Sequence, residues 1–236
     1  MTDIALVTGA AGALGAEVAR TLFSRGRKIV LVDSERGKER LAALAATLGG
    51  ASVIAGDIAA EETWRTGLPR VAQELGGAPT LAALIAGAWR GGKPLHEEPN
   101  DDVWRTMMSA NLDTVYRSLR ALLPAMVAAR SGSIVVVGSR AAEQPWTSAN
   151  AAAYAASKAA VVALARAVAV EVMGHGVRVN AVLPSTMDTP ANRAAMPKAD
   201  ASTWVTLPSA AGVVAFLLGD EARDVSGAAL PVYGRA

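Results

Sequence analysis

"LVTGAAGALGAEVA", residues 6–19, is the stretch on which the reading of the fold turns. A run of Leu and Val ends in Thr8-Gly9, glycines recur at Gly12 and Gly15, and an alanine-rich helical stretch follows. Glycines at such a strand-to-helix junction let the backbone approach a pyrophosphate held at a helix N-terminus. An ordinary turn that needs positive φ would use glycine as well. The surroundings decide between these two readings. The next Val/Ile/Leu run, "KIVLVD" (28–33), ends in Asp33, about twenty residues beyond the glycines, where a dinucleotide fold keeps an acid for the adenosine ribose hydroxyls.

Further short apolar runs stand at 51–57, 80–87, 132–139, 177–184 and 227–233, most of them followed by a polar or glycine-rich turn and a helical pattern. Continuous apolar runs of this length suit strands buried on both faces of a parallel sheet. Their alternation with helices predicts an α/β fold: a Rossmann-type, doubly wound parallel sheet of about seven strands with helices on both faces. With 236 residues, 52% of them hydrophobic, and no linker or composition break, residues 1–236 read as a single domain. A net charge of +2 without a Lys/Arg cluster argues against a nucleic-acid partner. No long apolar run or leader pattern suggests a membrane, and the absence of cysteine fits a cytoplasmic protein. His96 and His175, far apart on expected loops, make no metal site. The acids Glu97, Glu98, Asp101 and Asp102 read as a cap for the helix that follows them.

The chemistry is concentrated between residues 111 and 158. "AAAYAASKAAVVALARAVAVEV" (151–172) is expected to be one long helix, which puts Tyr154 and Lys158 one turn apart on one face. A free phenol titrates near 10, and lowering it by about three units takes about 4 kcal/mol, which an adjacent ammonium and a positively charged nicotinamide could supply together. Ser139 closes the run "GSIVVVGS", so its hydroxyl can face the cleft at the carboxyl edge of the sheet. Asn111 is a polar residue inside an otherwise apolar helical stretch. Ala and Val occupy nearly the whole circumference of the 151–172 helix, so a second copy is expected to cover its outer face.

Taken together, the glycine turn, Asn111, Ser139, Tyr154 and Lys158 resemble the short-chain dehydrogenase/reductase family, and the resemblance runs over essentially the whole chain. It implies an NAD(P)-dependent oxidoreductase in which Tyr154 exchanges the substrate proton and Ser139 holds the substrate oxygen. Lys158 would bond the nicotinamide ribose and lower the Tyr154 pKa, and Asn111 would support a proton path. The implied cofactor contacts are Gly9, Gly12, Leu14, Gly15, Asp33, Asp57, Ile58, Ala86, Gly87, Tyr154, Lys158, Pro184, Met187 and Thr189. Asp33 favours NAD(H), with NADP(H) as the alternative, and the family pattern implies a homotetramer.

Three positions depart from that pattern: Ala13 replaces the middle glycine, Ile85-Ala86-Gly87 replaces Asn-Ala-Gly, and Pro184-Ser185 replaces Pro-Gly. Residues 85–92 and 182–204 look like stretches of quinonoid dihydropteridine reductase, a relative that lacks the serine. Ser139 therefore favours a neutral carbonyl or alcohol as the small-molecule substrate. A dihydropterin reductase, a 3-oxoacyl-carrier reductase and a non-catalytic dinucleotide binder are the alternatives. Trp89, Trp146 and Trp204, all after strands, are candidates for an apolar substrate wall, and residues 185–206 for a lid over the cleft.

Overall fold

A computed structural model describes residues 3–235. Seven strands, β1 (Ile4–Thr8), β2 (Lys28–Asp33), β3 (Ser52–Ala55), β4 (Leu81–Leu84), β5 (Gly132–Val137), β6 (Val177–Pro184) and β7 (Ala229–Val232), form one sheet in the order β3-β2-β1-β4-β5-β6-β7. Every pairing is parallel, with Leu6 opposite Val30 on one side and Ala82 on the other. All seven apolar runs are strands.

The helices are α1 (Ala13–Ser24), α2 (Lys38–Thr47), α3 (Glu61–Leu75), α4 (Asp102–Met107), α5 (Thr114–Ala129), α6 (Arg140–Glu143), α7 (Ala152–Val172), α8 (Pro190–Ala195) and α9 (Leu207–Leu218). Strand side chains alternate between two cores. Ile4, Leu6, Val30, Val32, Ile134 and Val136 meet α3, α5 and α7, while Ala5, Val7, Ile29, Leu31, Val135 and Val137 meet α1, α2 and α9. Burial on both faces is why these strands are apolar throughout rather than alternating. The strand order reverses between β1 and β4, and ligands of such sheets bind at the carboxyl ends beside that reversal.

The structure also corrects several local expectations. Asn111 lies in a π-helical turn, Met108–Asp113, between α4 and α5, not in regular helix. His96 and His175 stand in short 3₁₀ turns, Leu95–Glu97 and Met173–His175. Asp101 is the N-cap residue of α4 and Asp102 lies in its first turn, but no carboxylate makes the capping bond; Asn100 Oδ1 accepts the Asp102 N–H at 2.9 Å instead. No helix among the described residues is long and apolar enough to cross a membrane. On the outside of α7, Ala159, Ala163, Ala167 and Val170 are exposed.

Candidate active site

The glycine turn packs against the reversal point. Gly9 has φ +67°, and a Cβ there would lie 2.8 Å from the Ala86 nitrogen and 2.9 Å from its Cα. Thr8 Oγ1 accepts the Ala86 N–H at 3.1 Å, fastening the end of β1 to the loop after β4. At Gly15 a Cβ would come within 2.2 Å of the Gly9 carbonyl oxygen, so only glycine lets α1 start so close to the turn. Gly12 is the N-cap of α1 and brings no side-chain acceptor, and the first turn holds no acid. The positive end of the helix is therefore left to an anionic ligand.

Asp33 closes this corner. Its Oδ2 accepts the Ala11 N–H at 2.9 Å and its Oδ1 the Ser34 N–H at 2.7 Å, which aims the carboxylate at the glycine turn. The absent side chain of Gly37 makes room, since a Cβ would sit 3.2 Å from Asp33 Oδ1. A glycine cradle, an open helix N-terminus and an acid at the end of β2 fit a dinucleotide: the turn would take the pyrophosphate and Asp33 the ribose. Ile58 is buried in the core with its carbonyl taken by the Trp64 indole at 2.8 Å, and Leu14 is likewise a core side chain. Asp57 is exposed, and its Oδ1 accepts the Ala59 N–H at 2.9 Å, capping the turn before α3.

The four polar residues singled out between 111 and 158 are brought together. Ser139, the N-cap of α6, accepts the Ala141 N–H through Oγ at 3.2 Å, and it lies near enough to the Tyr154 phenol to act on its pKa. Lys158 is only 5% exposed and donates from Nζ to the Val137 carbonyl at 2.8 Å. Gly87 lies between the groups: a Cβ there would meet Asn111 Oδ1 at 2.7 Å and Lys158 Nζ at 3.2 Å. Asn111 Oδ1 accepts the Ala88 N–H at 2.9 Å, so the loop after β4 is bound directly to the π-helical turn.

The chain's own groups do not lower the Tyr154 pKa: burial holds the phenol above its ordinary value, and Ser139 beside it only partly opposes this. Lys158 is itself pushed down to about 8 by burial, and its Nζ is turned toward a backbone carbonyl. The phenol is thus kept protonated and able to donate.

Beyond β6, Pro184 is buried at the strand end, and a short bridge pairs Met187 with Val205 at the base of the 185–206 segment. Thr189 Oγ1 caps α8 by accepting the Asn192 N–H at 3.1 Å, which leaves its own hydrogen free to donate. Trp204 is 8% exposed and fills the interior beneath this segment, so it is not a substrate wall. Trp146 overhangs an apolar cavity of about 510 Å³ lined by Ala152, Ala156 and Ala159, the side of α7 turned away from Tyr154. Trp89 is exposed on the loop after β4. Sequence reasoning assigned no role to Thr8 or Ser157. Each shows only as a small polar residue in an apolar run, and its cross-fold partner, Ala86 for Thr8 and Asn111 for Ser157, is distant in the chain.

Fold and site thus define an α/β protein with a glycine cradle that fits a dinucleotide and, beside it, a cluster of polar and titratable side chains. Comparison with known proteins identifies the family. Residues 3–200 match the family described as short chain dehydrogenase. The chain is 31% identical to 2,5-dichloro-2,5-cyclohexadiene-1,4-diol dehydrogenase of Sphingobium indicum, over 98% of this chain and 94% of that protein. It is 34% identical to galactitol 2-dehydrogenase (L-tagatose-forming) of Cereibacter sphaeroides, over 98% and 93% of the two chains. Among solved structures, a 3-oxoacyl-[acyl-carrier protein] reductase of Brucella melitensis with bound NAD superposes with a TM-score of 0.85 at 26% identity, covering 98% of this chain and 90% of that one. The chain belongs to the short-chain dehydrogenase/reductase family and is an oxidoreductase.

Proposed function

We propose that the protein interconverts a neutral carbonyl compound and the corresponding secondary alcohol with NAD(H), Tyr154 being the general acid and base. The observation that carries this reading is the cluster of Ser139, Tyr154, Lys158 and Asn111 beside a glycine cradle that fits a dinucleotide. Bound nicotinamide supplies or accepts the hydride. The protein's own groups handle the oxygen and the proton. In reduction, the Tyr154 phenol gives its proton to the carbonyl oxygen, and in oxidation the phenolate takes it back from the alcohol. Ser139, locked by the Ala141 N–H, holds the substrate oxygen within reach of that phenol. Lys158 would hold the nicotinamide ribose, and its charge favours the phenolate. The catalytic residues are thus Asn111, Ser139, Tyr154 and Lys158.

NAD(H) is favoured over NADP(H) because the fixed Asp33 carboxylate would face a 2′-phosphate with like charge. The lid favours a neutral substrate. Of its two cations, Arg193 and Lys198, Arg193 is already paired with Asp188, with bonds of 2.5 and 2.8 Å. Two of the relatives take, by name, a cyclic diol and a polyol, which are of the alcohol class. The exposed Ala/Val face of α7 supports a homo-oligomer, a tetramer by the family pattern.

The test is a panel of ketones, secondary alcohols, 3-oxoacyl thioesters and quinonoid dihydropterin, each with both cofactors, alongside Tyr154→Phe. Turnover of simple carbonyls or alcohols with NAD(H), lowered about 10²-fold or more by Tyr154→Phe, is expected. Turnover of dihydropterin alone, unchanged by Ser139→Ala, would identify the other relative as the right one. Preference for the thioester would make the protein a 3-oxoacyl reductase.

A further inference from the structure

Ser157 lies one residue before Lys158 and is completely buried, yet the mechanism above leaves it no part. Its hydroxyl donates to the Tyr154 carbonyl, one turn back on α7, at 2.8 Å. With its hydrogen committed there, the oxygen can act only as an acceptor toward its other neighbour. That neighbour is Asn111 Nδ2, 2.9 Å away on the π-helical turn. The amide nitrogen is thereby fixed on the α7 side, where it also faces Met107 Sδ at 3.8 Å. Asn111 Oδ1 is left to accept the Ala88 N–H. A flipped amide would set NH₂ against that N–H and oxygen against an oxygen whose hydrogen points elsewhere. Both contacts would be repulsive, and the Asn111 and Ser157 side chains are completely buried, out of reach of water.

We propose, on the mechanistic reading above, that Ser157 is a positioning residue that sets the Asn111 amide and through it registers the Ile85–Ala88 loop against Tyr154 and Lys158. Three segments meet in this one chain of donors: the loop after β4, the π-helical turn and α7. The closeness of Gly87 to both Asn111 Oδ1 and Lys158 Nζ makes the register matter, because loop displacement would change the space between those groups. The odd geometry of residues 108–113 has the same origin, since the π-helical turn is what carries Asn111 between the two other segments.

The test is a double-mutant cycle of Ser157→Ala and Asn111→Ala, with folding checked by circular dichroism at the assay temperature. Two further readouts accompany turnover: NADH affinity from quenching of tryptophan fluorescence, and amide hydrogen exchange at Ala88 in protein without cofactor. Ser157→Ala is expected to speed Ala88 exchange about tenfold, while exchange within Leu81–Leu84 is unchanged. It should lower kcat about tenfold and weaken NADH several-fold, with substrate KM nearly constant. In the Asn111→Ala background the same change should cost less than about twofold. Equal losses in both backgrounds, or Ala88 exchange unaffected by Ser157→Ala, would overturn the proposal. The catalytic reading fails separately, through full turnover in Tyr154→Phe, and Ala88 exchange still decides the role of Ser157 in that event.

Discussion

Replacing Lys158 with Met should alter how stability depends on pH, by an amount the structure allows one to work out. The lysine is 5% exposed, and burial brings its pKa from 10.5 down to about 8. Between those values the unfolded chain holds a proton that the folded chain has released, so wild-type stability rises with pH across the window. From pH 7 to pH 9.5 the gain amounts to about 2 kcal/mol, the folded group titrating over the last one and a half units. Methionine has similar length and no charge to lose, so the variant lacks this gain. Urea denaturation of both proteins at half-unit steps of pH gives the difference in stability, in which the other ionisations cancel. Tyr154 stays out of the window because burial moves it upward, above its ordinary 10. The variant's advantage over wild type should shrink, or its deficit grow, by about 2 kcal/mol as pH rises. Parallel curves would show that the Lys158 ammonium is not desolvated in the folded protein.

Two other substitutions test the cofactor cradle. Gly15→Ala puts a methyl 2.2 Å from the Gly9 carbonyl oxygen, and the overlap is with backbone that cannot swing aside. It should cost about 3 kcal/mol or more and abolish NADH binding by titration calorimetry in whatever folded protein remains; normal affinity would mean that the turn has room to spare. Asp33→Asn removes the charge and one of the two acceptors serving Ala11 and Ser34. Stability should fall by about 1–2 kcal/mol, and the ratio of kcat/KM for NADH to that for NADPH should fall at least about tenfold. An unchanged ratio would mean that Asp33 does not select the cofactor.

What the sequence by itself determined is whatever near neighbours along the chain encode. Apolar runs such as "KIVLVD" specify strands buried on both faces, and 3.6-residue periodicity places Tyr154 above Lys158 wherever α7 goes. The spacing from Gly9 to Asp33 follows from one strand–helix–strand unit, so the cradle was legible too. Tertiary structure alone decided the rest. Asn111 meets Ser157 across 46 residues, and nothing local to either shows which atoms of the amide face which partner. Trp204 is a core residue because the 185–206 segment folds over it, although its neighbours in sequence read as a loop. That the chain's own groups leave the Tyr154 pKa raised has the same kind of reason. A one-turn spacing puts Lys158 near the phenol, but burial acts through every atom packed around a group, and those atoms come from elements far apart in the chain.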